Sequence, residues 1–285
     1  MICRICGSDK VKETVVGKEM MIPTYEEFRY FECDHCHCLQ IEEIPADLGR
    51  YYGPDYYSFQ NSNPDESEDS DSNSELSGSK DMTPILDVGC GAGKFLKQLQ
   101  KIGYGNLTGC DPFLEQDLVF GENIHIYKKT IHEMSGKFDK IFMCDSFEHV
   151  TDPHEVMESA KRLLSTNGIL RIAIPVYPNI AFEMFEGNWY QLDAPRHIFL
   201  HSVKSMEILA AEHGLKILKV DYDADPSQIF RSYLYSKGVP FWEQKMSMVM
   251  EDLGEDEVNE IEQLSKEANE KGYGDHAVFY LTHAS

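Results

Sequence analysis

The stretch ILDVGCGAGKFL, residues 85–96, decides the fold. An apolar run carries Asp87, three glycines follow at Gly89, Gly91 and Gly93, and a helical pattern begins directly after them. Glycine is needed where a backbone bends sharply and must approach a ligand without a side chain in between. The stretch therefore predicts a strand, a ligand-binding turn and a helix in direct succession.

Apolar runs and helical patterns alternate downstream of this turn. The predicted strands cover residues 85–88, 106–111, 124–127, 138–145, 168–175, 215–224 and 276–283. Three helices are predicted. The first covers residues 94–103 and has an apolar stripe at Phe95, Leu96, Leu99 and Ile102; the second covers residues 152–168, with Asp152 as N-cap and Gly168 as stop. The third covers the charged residues 243–272. Strands that alternate with helices imply a three-layer α/β fold, in which helices cover both faces of a parallel sheet.

A carboxylate, Asp111, follows the second predicted strand about 20 residues beyond the glycines, where it can accept hydrogen bonds from both hydroxyls of a ribose. The alternative is a turn residue before Pro112. A dinucleotide-binding turn has the spacing GxGxxG, but Lys94 stands where its third glycine belongs. The spacing therefore disfavours a nicotinamide-dependent oxidoreductase, which stays open as an alternative.

The glycine spacing, Asp87, Asp111 and the stretch FDKIFMCDSFEHVTDPHEVMESAKRLLSTNGILRIAIP together resemble the class I methyltransferases that use S-adenosylmethionine. The resemblance runs from Thr83 to Pro175. It implies a Rossmann-like sheet with an antiparallel closing strand and a glycine turn that meets the methionine portion of the cofactor. It also implies that Thr130 and Ile131 lie against adenine and that Asp145 lines the cofactor pocket.

Two histidines are candidate proton acceptors, because transfer to a hydroxyl or an acidic carbon needs a base that works near neutral pH. His149 ends DSFEH, in which Asp145, Glu148 and His149 could share one face of a helical turn and serve an acid/base site or a divalent cation. A similar EH pair occurs in quinone-type O-methyltransferases, where it is associated with metal. The alternative is a histidine that shapes the cofactor pocket. The other candidate, His197, lies in residues 187–202.

The segment GNWYQLDAPRHIFLHS, residues 187–202, follows the fifth strand, where loops of parallel sheets reach over the ligand crevice. We interpret it as a substrate lid, with Trp189 and Tyr190 as an apolar or sugar-stacking wall, Arg196 as a fork for a carboxylate or phosphate, and His197 as the base. The alternative is a structural loop in which Trp189 is a buried anchor and Asp193 pairs with Arg196.

Five of the eight cysteines lie within the first 38 residues, and Cys3, Cys6, Cys33 and Cys36 form two CxxC pairs. Two such pairs suit a tetrahedral zinc ion bound by thiolates, and Cys38 is a spare that could replace a ligand. A redox dithiol is the alternative, although it normally lies between a strand and a helix. The sequence therefore predicts a structural zinc ribbon.

The formal net charge of −23 repels phosphate backbones and anionic membranes, so we expect no nucleic-acid or membrane partner. Without a long apolar run or an apolar leader in MICRICGSDK, we expect a cytoplasmic protein. Residues 61–81 are Ser, Asp, Glu and Asn with almost nothing apolar, which predicts a flexible tether between a zinc-ribbon module at 1–60 and a methyltransferase domain at 82–285. A phosphorylatable tail is the alternative for those serines.

Taken together with GRYYGPDYYSF, the ribbon and residues 187–202 make the whole chain resemble bacterial methyltransferases with an N-terminal zinc ribbon, a group similar to sugar C-methyltransferases and glycan-assembly proteins. This resemblance implies a small-molecule acceptor such as a sugar or a glycan intermediate. A cofactor-binding partner protein without transfer activity is the alternative outside enzymology. Tyr51, Tyr52, Tyr56 and Tyr57 could shape the acceptor site or pack the connector against the domain.

Overall fold

The described residues form two β-sheets, one of eight strands and one of four. The computed structural model describes residues 1–52 and 80–284. The predicted tether up to residue 79, and Tyr56 and Tyr57 before it, lie outside the described residues. Asp81, the last residue of that predicted tether, forms an isolated β-bridge with Tyr104.

The large sheet has the strand order β11-β12-β9-β8-β4-β5-β7-β6. Its strands are β4 (Ile85–Val88), β5 (Leu107–Cys110), β6 (Leu118–Phe120), β7 (Ile124–Tyr127), β8 (Phe138–Cys144), β9 (Leu164–Pro175), β11 (Leu215–Tyr222) and β12 (His276–His283). The five central strands, β7, β5, β4, β8 and β9, are parallel neighbours. Strand β12 runs antiparallel to both β9 and β11, which confirms the predicted antiparallel closing strand.

Alternate residues of β4 face opposite layers, as the period of two in a strand requires. Ile85 belongs to a buried cluster with Leu96 and Leu99 of the first helix. Leu86 belongs to a second cluster that includes Met157 and Leu163 of the second helix. Both faces of the sheet are therefore covered, and the three-layer α/β architecture is confirmed.

Six α-helices lie within residues 80–284. They are α1 (Lys94–Lys101), α2 (Pro153–Leu163), α3 (Ile180–Phe185), α4 (Val203–Glu212), α5 (Pro226–Ser236) and α6 (Met246–Glu270). Asp152 caps α2 as predicted, since its side chain accepts a hydrogen bond from the Glu155 backbone N–H. No helix in the described part of the chain is both long enough and apolar enough to cross a bilayer.

Three details of the predicted helices are wrong. Helix α2 ends at Leu163 rather than near Gly168, because Leu164 already pairs with Phe138 of β8, and the following residues form an irregularity within β9. Ile102 is 72% exposed, because it follows the last residue of α1 and lies outside its apolar stripe. The charged helix starts at Met246, and its helical geometry is interrupted at Gly254, where φ is 78°.

The small sheet joins the N-terminal residues to the rest of the chain. Its order is β1-β2-β3-β10, with β1 (Val11–Lys18), β2 (Glu27–Cys33), β3 (Leu39–Ile41) and β10 (Phe199–Leu200). Strand β10 belongs to the segment 187–202 and pairs with Gln40 and Leu39 of β3. The N-terminal module is thus completed by a strand from the predicted methyltransferase domain, and the two parts share one buried cluster.

Candidate active site

The glycine turn lies between β4 and α1, at the carboxyl end of the parallel strands. Gly89, Gly91 and Gly93 have φ values of 75°, 51° and 80°, in the left-handed region that glycine adopts at low cost. A Cβ on Gly89 would lie 2.7 Å from Ser146 Cβ, and one on Gly93 would overlap Ile126 Cδ1. A Cβ on Gly91 would meet nothing within 4 Å. Close packing therefore requires glycine at the outer two positions, whereas Gly91 borders open space that a ligand can enter.

Two acidic residues belong to this turn and its surroundings: Asp87 on β4 before it, and Asp111 after β5. Asp111 Oδ2 accepts a hydrogen bond from the Gly91 N–H at 3.0 Å, and its Oδ1 accepts one from the Phe113 N–H at 2.9 Å. Asp87 is 4% exposed, and burial together with the nearby Asp111 raises the pKa of its carboxyl to about 8. Within residues 1–52 and 80–284, neither carboxylate forms an ion pair with lysine or arginine. The turn is thus a backbone cradle beside two acidic side chains. A ligand that carries an ammonium or sulfonium group would favour the ionised form of these carboxyls.

The positions predicted to contact adenine differ from one another. Thr130 caps the short 3-10 helix Ile131–Glu133, with its backbone N–H and its hydroxyl both donating to Glu133 Oε2 at 2.9 Å. Ile131 is 4% exposed and its side chain belongs to the main core cluster. Thr130 thus remains at the surface of this turn. Because the Ile131 side chain is buried in the core, only the Ile131 backbone could contact a ligand there.

Asp145 has a φ of 48°, which turns the chain away from the end of β8. Its Oδ1 lies 3.1 Å from His276 Nε2, while His276 Nδ1 lies 2.6 Å from Asp223 Oδ1. Burial disfavours the charged form of His276, but the hydrogen bonds to Asp145 and Asp223 outweigh it and raise the pKa of His276 to about 10. This charged His276 bridge, which the sequence analysis missed, ties β12 to the end of β8. The one sequence signal was a histidine opening the last predicted strand.

His149, His197 and Glu148 converge in one buried cluster. The short 3-10 helix Phe147–His149 supplies two of them, and Ser146 beside it fastens this turn to the glycine loop by donating to the Val88 carbonyl at 3.0 Å. The Nε2 atoms of His149 and His197 each lie 3.8 Å from Glu148 Oε1. The two imidazole centroids are 4.7 Å apart. The structure therefore brings the two predicted catalytic histidines together.

Burial dominates the electrostatics of this cluster. It lowers the pKa of His149 to about 3, with a further contribution from His197, and it also lowers the pKa of His197. It raises the pKa of Glu148 well above the usual range of a carboxyl. Both histidines are consequently neutral near pH 7, which is the protonation state of a base or of a metal ligand.

Trp189 and Arg196 make the contacts of the structural alternative rather than of a substrate wall. Trp189 is 1% exposed, and its indole Nε1 donates to Asp275 Oδ2 at 2.9 Å. The fully buried Arg196 guanidinium pairs with Asp193 and with Glu19 of the N-terminal module, at 2.6 Å and 3.0 Å. Both side chains thus fix residues 187–202 in place, and Arg196 has no face turned to solvent.

Two tyrosines from the predictions lie nearer the surface. The Tyr190 ring stacks on Phe241 with centroids 6.0 Å apart, and the guanidinium of Arg231 on α5 lies 5.4 Å from the Tyr190 ring centroid. The Tyr190 ring therefore packs toward α5 rather than toward the histidine cluster. Tyr52 stacks on Phe113, two residues after Asp111, and its hydroxyl lies 3.2 Å from His149 Nδ1. Tyr52 therefore covers the crevice from the N-terminal side, whereas Tyr51 is buried.

The four cysteines of the two CxxC pairs also converge. The Sγ atoms of Cys3 and Cys36 are 3.5 Å apart, those of Cys6 and Cys33 are 3.6 Å apart, and all four lie within 4.8 Å of one another. Four thiolates around one zinc ion are about 3.8 Å apart when each Zn–S bond is about 2.3 Å. The arrangement fits a tetrahedral ion, and Cys38 does not belong to the group.

Comparisons with known proteins agree with this architecture. The sheet order and the glycine turn between β4 and α1 define a Rossmann-like fold of the methyltransferase type. Residues 64–220, more than half of the chain, match the family described as "Methyltransferase domain". The chain belongs to that family.

Curated relatives resemble one part of the chain. A ubiquinone biosynthesis O-methyltransferase of Colwellia psychrerythraea is 33% identical over 97 residues, which is 30% of this chain and 39% of that protein. The protein of the same description from Actinobacillus pleuropneumoniae is 34% identical over 101 residues, which is 30% of this chain and 43% of that protein. The match thus spans about two fifths of the length of these relatives.

Solved structures also resemble the chain. The O-methyltransferase of a trans-AT polyketide synthase multienzyme of Brevibacillus brevis, in complex with S-adenosyl-L-homocysteine, has a TM-score of 0.45 and 17% identity, over 71% of this chain and 67% of that one. The 1,6-didemethyltoxoflavin-N1-methyltransferase of Burkholderia thailandensis has a TM-score of 0.41 and 13% identity, over 71% of this chain and 72% of that one.

Proposed function

We propose that the chain transfers a methyl group from S-adenosylmethionine to a small-molecule acceptor, and that this acceptor is a sugar or a glycan precursor. The observation that carries the proposal is the open space beside Gly91. Asp111 is hydrogen-bonded to Gly91 beside this space, and Ser146, which precedes the turn that carries Glu148 and His149, donates to Val88 at the start of the glycine loop. Membership of the methyltransferase-domain family supports the reaction class.

The residues of this chain fit the cofactor. The backbone of residues 89–93 would face its methionine portion, and the outer lone pairs of Asp111 would accept its ribose hydroxyls. Thr130 would border adenine, as the family resemblance implies. When bound, S-adenosylmethionine supplies an electrophilic methyl group on a positively charged sulfur.

The acceptor lies, in this proposal, between Asp145, Tyr52 and the histidine cluster. His149 Nδ1 faces the Arg196 carbonyl at 2.9 Å and His197 Nδ1 faces the Gln191 carbonyl at 2.7 Å. A carbonyl can only accept, so each Nδ1 carries the proton and each Nε2 keeps its lone pair. His197 would therefore remove the acceptor proton as the acceptor oxygen or carbon bonds to the methyl carbon, and the electron pair of the broken carbon–sulfur bond would stay on sulfur. His149 is the weaker base, because burial lowers its pKa to about 3.

The N-terminal module acts, in this proposal, as a zinc-stabilised support for the acceptor side. Tyr30 donates to the His197 carbonyl at 3.0 Å, and Ser202 donates to the Cys36 carbonyl. Cys3, Cys6, Cys33 and Cys36 would bind the ion. Because this module orients the segment that carries His197, its zinc site contributes to the active site through position rather than through chemistry.

Calorimetry with S-adenosylhomocysteine and with NAD, on the wild type and on Asp111→Asn, tests the cofactor. We expect binding of S-adenosylhomocysteine and no binding of NAD. In Asp111→Asn we expect S-adenosylhomocysteine to bind roughly 10–150-fold more weakly, since one charged hydrogen bond contributes about 1.5–3 kcal/mol. Binding of NAD alone would establish the oxidoreductase alternative.

Mass spectrometry of small molecules incubated with the protein and labelled S-adenosylmethionine tests the transfer. We expect label in a sugar-containing acceptor, and expect His197→Gln to lose transfer while it still binds S-adenosylhomocysteine. Tight cofactor binding without transfer to any component of sugar-rich extracts would instead support the non-catalytic partner protein.

A further inference from the structure

Gln40 on β3 is a buried amide that contacts the cysteine cluster. The residue is 0% exposed, and its Nε2 donates a hydrogen bond to Cys3 Sγ at 3.1 Å. The Ile5 backbone N–H donates to the same sulfur at 3.4 Å. Hydrogen bonds to an ionised acceptor are stronger than those to a neutral one, so these two contacts favour the thiolate form of Cys3, which is the form that binds a metal.

Arg4 fixes the orientation of this amide. Its backbone N–H donates to Gln40 Oε1 at 3.0 Å, and its guanidinium Nη1 donates to the same oxygen at 3.3 Å. Both Arg4 groups can only donate, so the oxygen of the amide must face Arg4 and the nitrogen must face Cys3. The Gln40 side chain is thus locked with its N–H directed at the sulfur.

The backbone of β3 connects Gln40 to the segment that carries His197. Gln40 lies opposite Phe199 of β10 in the small sheet, and the Ile41 N–H donates to the Ile198 carbonyl at 3.0 Å. Ile198 and Phe199 directly follow His197 in the sequence. Gln40 therefore contacts a predicted zinc ligand through its side chain, and its backbone lies opposite the strand next to the candidate base.

Arg4 contacts the same parts of the protein. Its Nη2 donates to the Ile41 carbonyl at 2.7 Å, and its guanidinium lies 5.8 Å from the centroid of the Phe199 ring. Since Arg4 directly follows Cys3, the first CxxC pair, the Gln40 amide and β10 are held together by one continuous set of contacts.

We infer that Gln40 is a positioning residue that orients Cys3 for zinc binding and couples the zinc site to residues 197–200. Outer-shell partners orient the ligands of metal sites in this way. The presence of the ion rests on the proposed function, whereas the role of Gln40 goes beyond it. Loss of the amide donor should therefore weaken zinc binding and loosen the pairing of β3 with β10, while the glycine turn after β4 of the large sheet stays unchanged.

Gln40→Glu tests this role with little change of shape. The carboxylate can still accept from Arg4, but it places a negative charge where an N–H was donated to the sulfur. Competition with a chelator should show one zinc ion per chain in the wild type and a zinc affinity lower by about 10–100-fold in Gln40→Glu, the cost of losing an outer-shell partner. In the Co²⁺-substituted protein, the sulfur-to-cobalt charge-transfer band should shift, which an amide with a purely structural role would not cause.

Gln40→Met removes the donated N–H without adding charge. It should also weaken zinc binding by about 10–100-fold, because the hydrogen bond to Cys3 is lost in either variant. Gln263→Glu is the matched control, since it makes the same change of amide to carboxylate at an exposed position on α6. This control should keep the zinc affinity of the wild type.

Hydrogen exchange measures the coupling to β10. A zinc ion that binds only the ordered ribbon stabilises it in proportion to its affinity, so the Ile41 N–H should exchange about 10–100-fold faster in Gln40→Glu at the same zinc concentration. Exchange of the amides in β4 should not change. Binding of S-adenosylhomocysteine by each variant shows that the large-sheet domain is folded.

The outcomes separate this inference from the proposed function. Equal zinc affinity in the wild type, Gln40→Glu and Gln40→Met would overturn the role of Gln40 and leave the zinc site standing, and so would an equal loss of affinity in Gln263→Glu. Weaker zinc binding without faster exchange at Ile41 would overturn the coupling. A folded wild type that binds no zinc would overturn both the zinc site and this inference, while binding of S-adenosylhomocysteine would still establish the cofactor site.

Discussion

Substitution of Gly91 separates the cost of backbone strain from the cost of filling the cradle. Gly91→Ala places a Cβ in space that is open within 4 Å, at a φ of 51°. An L-residue in the left-handed region costs roughly 1–2 kcal/mol. The variant should therefore fold, with a free energy of unfolding lower by about 1–2 kcal/mol, while its added methyl group occupies the volume that the ligand needs.

Gly121→Ala is the matched control. Gly121 has a φ of 62° and also has nothing within 4 Å of a built Cβ, but it lies after β6, away from the turn. It should lose the same stability, a shift in Tm of about 2–4 °C for each kcal/mol in a domain of this size. Gly93→Ala should lose roughly 1–3 kcal/mol more, because its Cβ overlaps Ile126.

The measurements are thermal unfolding and calorimetry with S-adenosylhomocysteine. A methyl group forced into a packed contact costs roughly 1–3 kcal/mol, so Gly91→Ala should bind about 10–100-fold more weakly than Gly121→Ala. Equal affinity in these two variants at equal stability would show that no ligand occupies the space beside Gly91, and the assignment of the cofactor site would fail.

Three further predictions follow from the buried charges and the cysteines. Arg196→Ala should lower the free energy of unfolding in urea by about 3–5 kcal/mol, because it leaves Asp193 and Glu19 as uncompensated buried carboxylates; a loss under 1 kcal/mol would contradict the pairing. The pKa of His276 is raised to about 10 from its ordinary 6.5. The wild type should therefore have a larger free energy of unfolding in urea than His276→Gln below pH 6.5, and this difference should disappear as pH rises toward 10. A difference that does not depend on pH would refute the charged bridge. Removing zinc with a chelator should lower the Tm, since four converging thiolates then lose their common ligand, and a Tm unchanged after verified metal loss would exclude a structural ion.

Local sequence patterns were sufficient for seven of the eight strands of the large sheet and for the glycine turn, but they did not reveal β6, the strands of the small sheet or helices α3, α4 and α5. The period of two that separates Ile85 from Leu86, and the helical stripe at Leu96 and Leu99, depend on which residues are apolar and on little else. The two CxxC pairs were readable for a similar reason, because the ligand spacing within each pair is local. The end of α2 was misplaced because a tertiary pairing, Leu164 with Phe138, overrode the glycine stop at Gly168.

Contacts between residues far apart in the sequence could not be predicted from local sequence patterns. The sequence showed His149 and His197 as separate candidates, but their meeting with Glu148 depends on how residues 187–202 return over the sheet. The same return buries Arg196 against Glu19, which is 177 residues away along the chain. Arginine serves both for binding a substrate carboxylate or phosphate and for forming a buried ion pair. The sequence around Arg196 therefore could not decide between these two roles.

The pairing of β10 with β3 has a consequence for how such a protein can change over time. A module attached only through a linker can be replaced without disturbing the rest of the protein. This module instead pairs with β10, and its Tyr30 and Glu19 bond to His197 and Arg196 of residues 187–202. A foreign N-terminal module grafted onto the domain would leave Phe199 and Leu200 without their neighbouring strand, and Arg196 would lose Glu19, one of its two counter-charges. A change in acceptor preference should therefore require coupled substitutions in the N-terminal module and in residues 187–202. Chimaeric proteins that combine these two parts from distant homologues should be destabilised first at the contact between β3 and β10.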